Sequence, residues 1–322
     1  MALTMLPAAI AFVEPDTQPW LTLPRSGPVF TLAFHPDGTT LTTAGLSDDS
    51  GEFWNHTQWH LPSGVRTAHR TYSADGDHDA ILSSRGPLVT VGDTVRLWDA
   101  AEDPTVLLHS QPDHCAPNVH WADSPVTSVS ISADGRSVVT GNERGLLLWP
   151  VATGGEPITV ACGAGVIESV AVSSDGTKVA AGVDDGTVRL WDVATGTATT
   201  LAGPASHVSD LMFNSNGAVL AASIDGMARI WQVTGGVPLP LTTGGDVVWL
   251  ALTPDGETVA TYDWDGILRL WDVTTGRRTA ILRHRAGHLN AAAFSPDGST
   301  LATVGESGVQ LWNVPELVAA QS

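Results

Sequence analysis

Apolar and polar residues alternate along this chain in runs of five or six, the period of a strand with one buried face. Val29-Phe30-Thr31-Leu32-Ala33-Phe34 and Ile167-Glu168-Ser169-Val170-Ala171-Val172 are two of these runs. Runs of this kind lead into seven Asx-Gly pairs: Asp37-Gly38, Asp75-Gly76, Asp134-Gly135, Asp175-Gly176, Asn216-Gly217, Asp255-Gly256 and Asp297-Gly298. Both residue types accept positive φ, so such a pair between alternating runs predicts a hairpin turn. A second run follows, such as Lys178-Val179-Ala180-Ala181-Gly182. Another turn leads to a strand that closes on tryptophan, as in Asp185-Gly186-Thr187-Val188-Arg189-Leu190-Trp191-Asp192. A Gly/Thr-rich stretch then carries a fourth run, Ala198-Thr199-Thr200-Leu201. The pattern predicts units of four short antiparallel strands.

The tryptophan-closed strand returns seven times, at Trp54, Trp98, Trp149, Trp191, Trp231, Trp271 and Trp312, with gaps of 44, 51, 42, 40, 40 and 41 residues. One unit cannot bury its own apolar face, so this period predicts stacked repeats that share one structure. The turns Ser295-Pro296-Asp297-Gly298, His35-Pro36-Asp37-Gly38 and Thr253-Pro254-Asp255-Gly256, with the Val-Arg-Leu-Trp-Asp endings, resemble the WD40 repeat family. The resemblance covers residues 20–314. It implies an all-β fold, a seven-bladed β-propeller of four-stranded antiparallel blades.

The closure of the ring is also legible. Only Asn313 to Ser322 follow Trp312, too few residues and too poorly patterned for a good fourth strand. The stretch Trp20 to Val29 aligns with Thr199 to Val208, which predicts that residues 20–24 complete the last blade from the N-terminal side. That would spare the blade an unpaired edge. The expected organisation is an N-terminal extension, 1–19, and a propeller domain, 20–322. The extension has the outside or one face of the propeller as places to pack. Two units are long: a hairpin loop from Gly76 to Pro87 in the second, and a connection from Ala100 to Pro125. Insertions in repeats map to loops.

Charge narrows the partners. Thirty-four acidic residues stand against 15 basic ones, and the net charge of −19 argues against nucleic acid or an anionic membrane surface. It is compatible with a basic partner, but plain solubility is the favoured explanation. No run reaches the roughly 18 apolar residues of a membrane helix. The N-terminus lacks the positive segment of a signal peptide. The expectation is a cytoplasmic monomer, of bacterial source given one lysine, Lys178, among many Ala, Gly and Arg. Cys115 and Cys162 fall in loops between neighbouring blades. A bridge between them is possible, but two free thiols in a reducing compartment are expected.

In the family resembled here, a Gly-His pair before the first strand feeds a structural network of His, Asp, Ser/Thr and Trp. The pair is missing from its usual place: blade five has Gly203-Pro204 and blade four Cys162-Gly163. Ser223, Asp225 and Trp231 remain as members of such a network, since a buried indole N–H needs a partner. By the same resemblance, the loops entering the first strands share one face with those joining strands two and three. That face is acidic, with Asp184 in the fourth unit and the cluster Asp263-Trp264-Asp265 in the sixth. Arg66, His207, Asp246 and His288 are placed at the channel mouth, with Trp249 just inside. Carboxylates beside indoles suit a cationic or Arg-rich peptide; each Asp taken singly is as well explained by its turn.

His114, Cys115 and His120 are zinc-type ligands, but their spacing matches no metal motif, so neither a metal nor a cofactor is expected. The function implied is a non-catalytic scaffold for a protein or peptide. The first alternative is a lyase, hydrolase or cyclase using His207, His288, Asp246 and Arg66 as acid/base and anchoring groups. The second is a regulatory domain of a larger system.

Overall fold

The computed structural model describes residues 18–24, 27–46, 53–61, 63–73, 79–84, 88–91, 95–98, 105–106, 126–151, 156–202, 207–235, 237–283, 288–305 and 308–321. They form seven separate four-stranded antiparallel sheets, the blades of a propeller. Blades are numbered here in chain order, and the strands of each run from inner to outer. The inner strands are Val29–Phe34, Asp79–Leu82, Ser128–Ile131, Ile167–Val172, Val208–Phe213, Val247–Leu252 and Leu289–Phe294. All seven line a central cavity of about 840 Å³.

Blade seven closes as the sequence implies. Its outer strand is Leu21–Leu23, paired to the strand Gly308–Asn313 with Leu23 opposite Val309 and Leu21 opposite Leu311. Residues 314–319 instead form a short helix, Val314–Ala319, with Asn313 as its N-cap and Pro315 in its first turn. Just beyond it, the Gln321 side chain accepts from Ile281 N at 2.8 Å and donates to Ile281 O, taking the place of a further strand beside Arg278–Arg283.

Six of the seven Asx-Gly pairs are hairpin turns, with glycine φ between 68° and 77°. In each the Asx oxygen accepts a backbone N–H two residues on, as Asp37 does from Thr39 at 2.7 Å and Asp297 from Ser299 at 3.0 Å. Hydroxyls two residues before the pair add a second donor: Ser173 to Asp175 at 2.7 Å and Ser295 to Asp297 at 2.6 Å. These contacts hold the Asp175 and Asp297 carboxyls below the usual range.

The seventh pair, Asp75-Gly76, lies outside the described residues, in the link between blades one and two. The hairpin expected there is displaced because blade one is longer than its siblings. Its third strand is Phe53–His60 and its outer strand Val65–Ser73. Trp54 is therefore not the counterpart of the other six tryptophans. Trp59 faces Leu41 as Trp312 faces Leu301 and Trp271 faces Val259.

Trp59 also makes the bond that defines the position. Its Nε1 donates to Thr43 Oγ1 at 3.1 Å, as Trp98 does to Thr90, Trp149 to Thr140, Trp271 to Thr261 and Trp312 to Thr303, all within 2.9–3.0 Å. The Ser/Thr–Trp link of the expected network is thus kept, on a Thr hydroxyl, in these five blades. Blades four and five carry Ala181 and Ala222 opposite Arg189 and Arg229, where Thr261 faces Arg269. Trp231 Nε1 is accordingly buried with no partner among the described residues. Ser223 donates to Val247 O in the next blade at 2.8 Å, and Asp225 accepts from His207 N at 3.0 Å.

Because inner strands of adjacent blades splay apart, they cannot share a ladder; side chains bridge them instead. Val170 N donates to Ser128 Oγ at 3.1 Å, Val208 N to Glu168 Oε2 at 2.8 Å and Leu250 N to Asp210 Oδ2 at 3.1 Å, each about one repeat apart. Cys162 ends the outer strand of blade three and is disulfide-bonded, so the expectation of two free thiols does not hold. Cys115 lies outside the described residues.

Candidate functional site

The antiparallel order sends each inner strand away from one face, so the loops entering inner strands and those joining strands two and three meet on that face. Around blades four to seven it carries most of the candidates. Asp184 is exposed, and its Oδ1 accepts Val166 N at 3.1 Å. Asp185 beside it is bonded to the Thr187 hydroxyl, which with the Thr187 N–H and Arg189 holds its carboxyl below the usual range.

Blade six presents the densest patch. Asp246, Trp264 and Asp265 are all exposed, Trp264 to 66%, and Trp264 N donates to Asp246 O at 3.3 Å. His288 from blade seven meets the Trp264 ring edge to face, with centroids 5.9 Å apart. Asp263, next in sequence, points the other way. It is 1% exposed and paired to Arg269, and its Oδ1 accepts Asp265 N at 3.1 Å and Ile267 N at 2.9 Å. Its carboxylate serves the turn and has no oxygen turned to the face.

His207 Nδ1 lies 3.1 Å from Oε1 of Glu168 in the preceding blade, and Glu168 lines the cavity. Trp249 lines the cavity. Arg66 does not belong there. It lies on the outer strand of blade one opposite Trp59, at the rim of the propeller. The displaced register of blade one explains the misplacement: the segment read as a loop entering blade two is an outer strand of blade one. His114, Cys115 and His120 lie outside the described residues. Among the described residues no group of three His, Cys, Asp or Glu comes together to hold a metal, and no helix is long and apolar enough to cross a membrane.

Two acidic residues inside the ring escape a search for motifs. Asp210 stands on its inner strand where other blades have Thr31, Ser128 or Ser169, and Glu168 one place earlier, level with Ser209; alignment of the repeats could have found them. Burial pushes the Asp210 carboxyl up to about 6, against the lowering effect of the Leu250 and Leu211 N–H groups. A raised carboxyl means that the folded protein takes a proton near pH 6 while the unfolded chain waits until about 3.8. Ionised Asp210 therefore destabilises the fold above pH 6, and the penalty disappears as pH falls toward 4. Asp210→Asn is expected to raise stability at pH 8 by about 2–3 kcal/mol and to change nothing near pH 3.5, read from urea melts at both pH values. Neutral His56, lowered to about 4 chiefly by burial, has the opposite slope over the same range. The difference between variant and parent cancels it.

Comparison with known proteins came to the same architecture. The family described as "WD domain, G-beta repeat" matches residues 18–55, 155–192, 197–232, 239–272 and 277–313, more than half of the chain. The chain is also similar to the "Periodic tryptophan protein 2 homolog" of Schizosaccharomyces pombe, 36% identical over 100 residues. The match takes in 30% of this chain and 12% of that protein.

Proposed function

Because the chain belongs to the WD40 repeat family, we propose that it is a non-catalytic scaffold that holds a basic protein or peptide on the acidic face of blades four to seven. Propellers of this family are interaction platforms in general; the basic character of the partner is read from this face. The observation that carries the reading is the exposed group Asp246, Trp264 and Asp265. Two carboxylates flank a large apolar ring that no core requires. A guanidinium or ammonium can pair with either carboxylate and lie against the indole. Asp184 extends the negative surface to blade four.

The test uses an Arg-rich peptide titrated at low and high salt, with a pull-down beside it. Joint Asp246→Lys and Asp265→Lys substitution is expected to weaken binding about tenfold and flatten its salt dependence, since both effects come from exposed charge. Neither side chain is buried, so the fold should be untouched. Equal binding by both forms would remove the proposal.

A second reading has one observation in its favour. Glu168, which lines the 840 Å³ cavity and pairs with His207, could pass a proton to a small molecule, as a lyase, hydrolase or cyclase requires. Arg66 plays no part in it. A substrate whose turnover fails in Glu168→Gln while peptide capture persists would favour this reading over the scaffold.

A further inference from the structure

The inner strands set a ring of side chains at one level around the cavity. Thr31, Ser128, Ser169, Asp210, Trp249 and Ala291 share one register position, opposite Ala44, Gly141, Gly182, Ser223, Tyr262 and Val304 of the second strands. All six line the cavity. Ser169, Asp210 and Trp249 fall on consecutive blades, so a hydroxyl, a carboxylate and an indole stand side by side.

The fold itself does not require a carboxylate there. In blade three the hydroxyl of Ser128 bridges to the next blade by accepting Val170 N at 3.1 Å. Asp210 makes the same bridge to Leu250 N at 3.1 Å, a task that a serine performs without a charge. Asp210 also accepts Leu211 N, the donor that corresponds to Val170. Ser169, the counterpart of Ser128, is left over: it is 7% exposed, and its hydroxyl makes no hydrogen bond among the described residues. A free hydroxyl and an ion inside the ring both destabilise the fold. No Arg, Lys or His lines the cavity among the described residues, whereas Asp134, Glu168 and Asp210 do. Glu168 is engaged by Val208 N and His207, and Asp134 by Ser132 and Arg136 N in its turn. Asp210 is half-buried and has no cation beside it. Beyond the far end of the blade-two inner strand, Ser83 also lines the cavity, 3% exposed and without a hydrogen-bond partner among the described residues. Free polar groups thus occur at two depths of one cavity, with small walls at Ala33 and Ala293.

We propose that the cavity binds a small primary amine as its ammonium ion, held by Asp210 and Ser169 with its carbon stem against Trp249. Carboxylate and hydroxyl each accept an ammonium N–H, and the indole face attracts the cation and covers the methylenes beside it. Ser83 bonds a polar group further along the ligand. A mostly apolar cavity with a few convergent polar groups is the usual form of a small-molecule site. This site lies inside the ring, apart from the exposed group on blade six, and involves no reaction at Glu168.

Calorimetric titration of the full chain at pH 8 with hexylamine, and with hexanol as its uncharged counterpart, tests this. Hexylamine is expected to bind at least about tenfold more tightly than hexanol, and Asp210→Asn to remove the difference. That variant is expected to gain stability, so its loss of binding is not a loss of fold. Ser169→Ala should weaken hexylamine by about threefold or more. At pH 5, below the Asp210 carboxyl at about 6, Asp210 must first release a proton, and hexylamine should bind about tenfold more weakly than at pH 8. Glu168, Asp134 and the His207 beside Glu168 are unchanged in Asp210→Asn, so its own pH dependence isolates their part. Joint Asp246→Lys and Asp265→Lys substitution should leave hexylamine binding as it was, whatever becomes of peptide capture. Equal affinity for hexylamine and hexanol, equal binding by Asp210→Asn, or loss of binding in the blade-six variant would overturn the proposal. So would Nα-acetyl-lysine amide binding as tightly as hexylamine, which would assign the site to a side chain of a protein partner.

Discussion

Arg269→Met is expected to cost about 3–5 kcal/mol, one of the two largest effects of a single change foreseen in this chain. Arg269 and Asp263 are both buried, at 9% and 1% side-chain exposure. Alone, Asp263 would be a carboxylate in the blade interior with only the Asp265 and Ile267 N–H groups to replace water. Methionine fills the space of arginine but leaves that charge unpaired, and the loss is the penalty of the abandoned ion more than the worth of the pair. Urea melts of the purified variant would read it. Adding Asp263→Asn should recover part of the loss, because an amide oxygen still accepts both N–H groups. Blade four supplies the control. Arg189, the counterpart of Arg269, pairs instead with Asp185, four residues before it, at 26% and 46% exposure, where water screens the pair, and Arg189→Met should cost no more than about 1 kcal/mol. A loss for Arg269→Met as small as that would show that Asp263 is not held as described.

The contrast between these two pairs also shows where a sequence stops speaking. Asp184 and Asp263 both looked available to a ligand, yet Asp263 ends the second strand of its blade, in the place Val183 holds in blade four, while Asp184 begins the turn beyond it. Asp263 is buried and Asp184 exposed, and the one-residue difference in place becomes visible only when the strands of the two blades are set in register. Period and turn chemistry, by contrast, are local. An Asx-Gly pair has the same φ requirement in every repeat, so the blades, their strands and the seam at residues 20–24 could be read directly.

Blade one shows the limit of periodicity. Trp54 and Trp59 are both buried, because strands between blades are covered on both faces, so hydrophobicity does not choose between them. The choice is made by Thr43, two residues after Leu41, as Thr303 follows Leu301 and Thr261 follows Val259. That hydroxyl was the signal available, and once it is used Arg66 moves from the channel to the rim. Glu168 and Asp210 illustrate a third case. They are unremarkable in composition, and become visible only when inner strands are stacked in register around one cavity.

The same reasoning makes Leu23 the most sensitive point of the ring. Blade seven takes three strands from the end of the chain and the fourth from its beginning, so the closing strand is the only covalently distant part of the sheet. Leu23 is 1% exposed and belongs to a core with Leu32, Leu41, Trp59, Leu61, Val309 and Leu311, which spans blades seven and one. Leu23→Asp would place a carboxylate in that core and detach the strand, leaving the edge of Gly308–Asn313 open. A loss above about 4 kcal/mol is expected, because an unpaired buried charge and a lost side chain act together. Thr22 between the two leucines is exposed, and Thr22→Asp on the same strand should stay within about 0.5 kcal/mol. Thermal melts of the two variants distinguish a seam from a loose tail. If the ring is fastened here, Leu23→Asp melts far below the parent and Thr22→Asp melts with it; if both match the parent, blade seven does not depend on this strand.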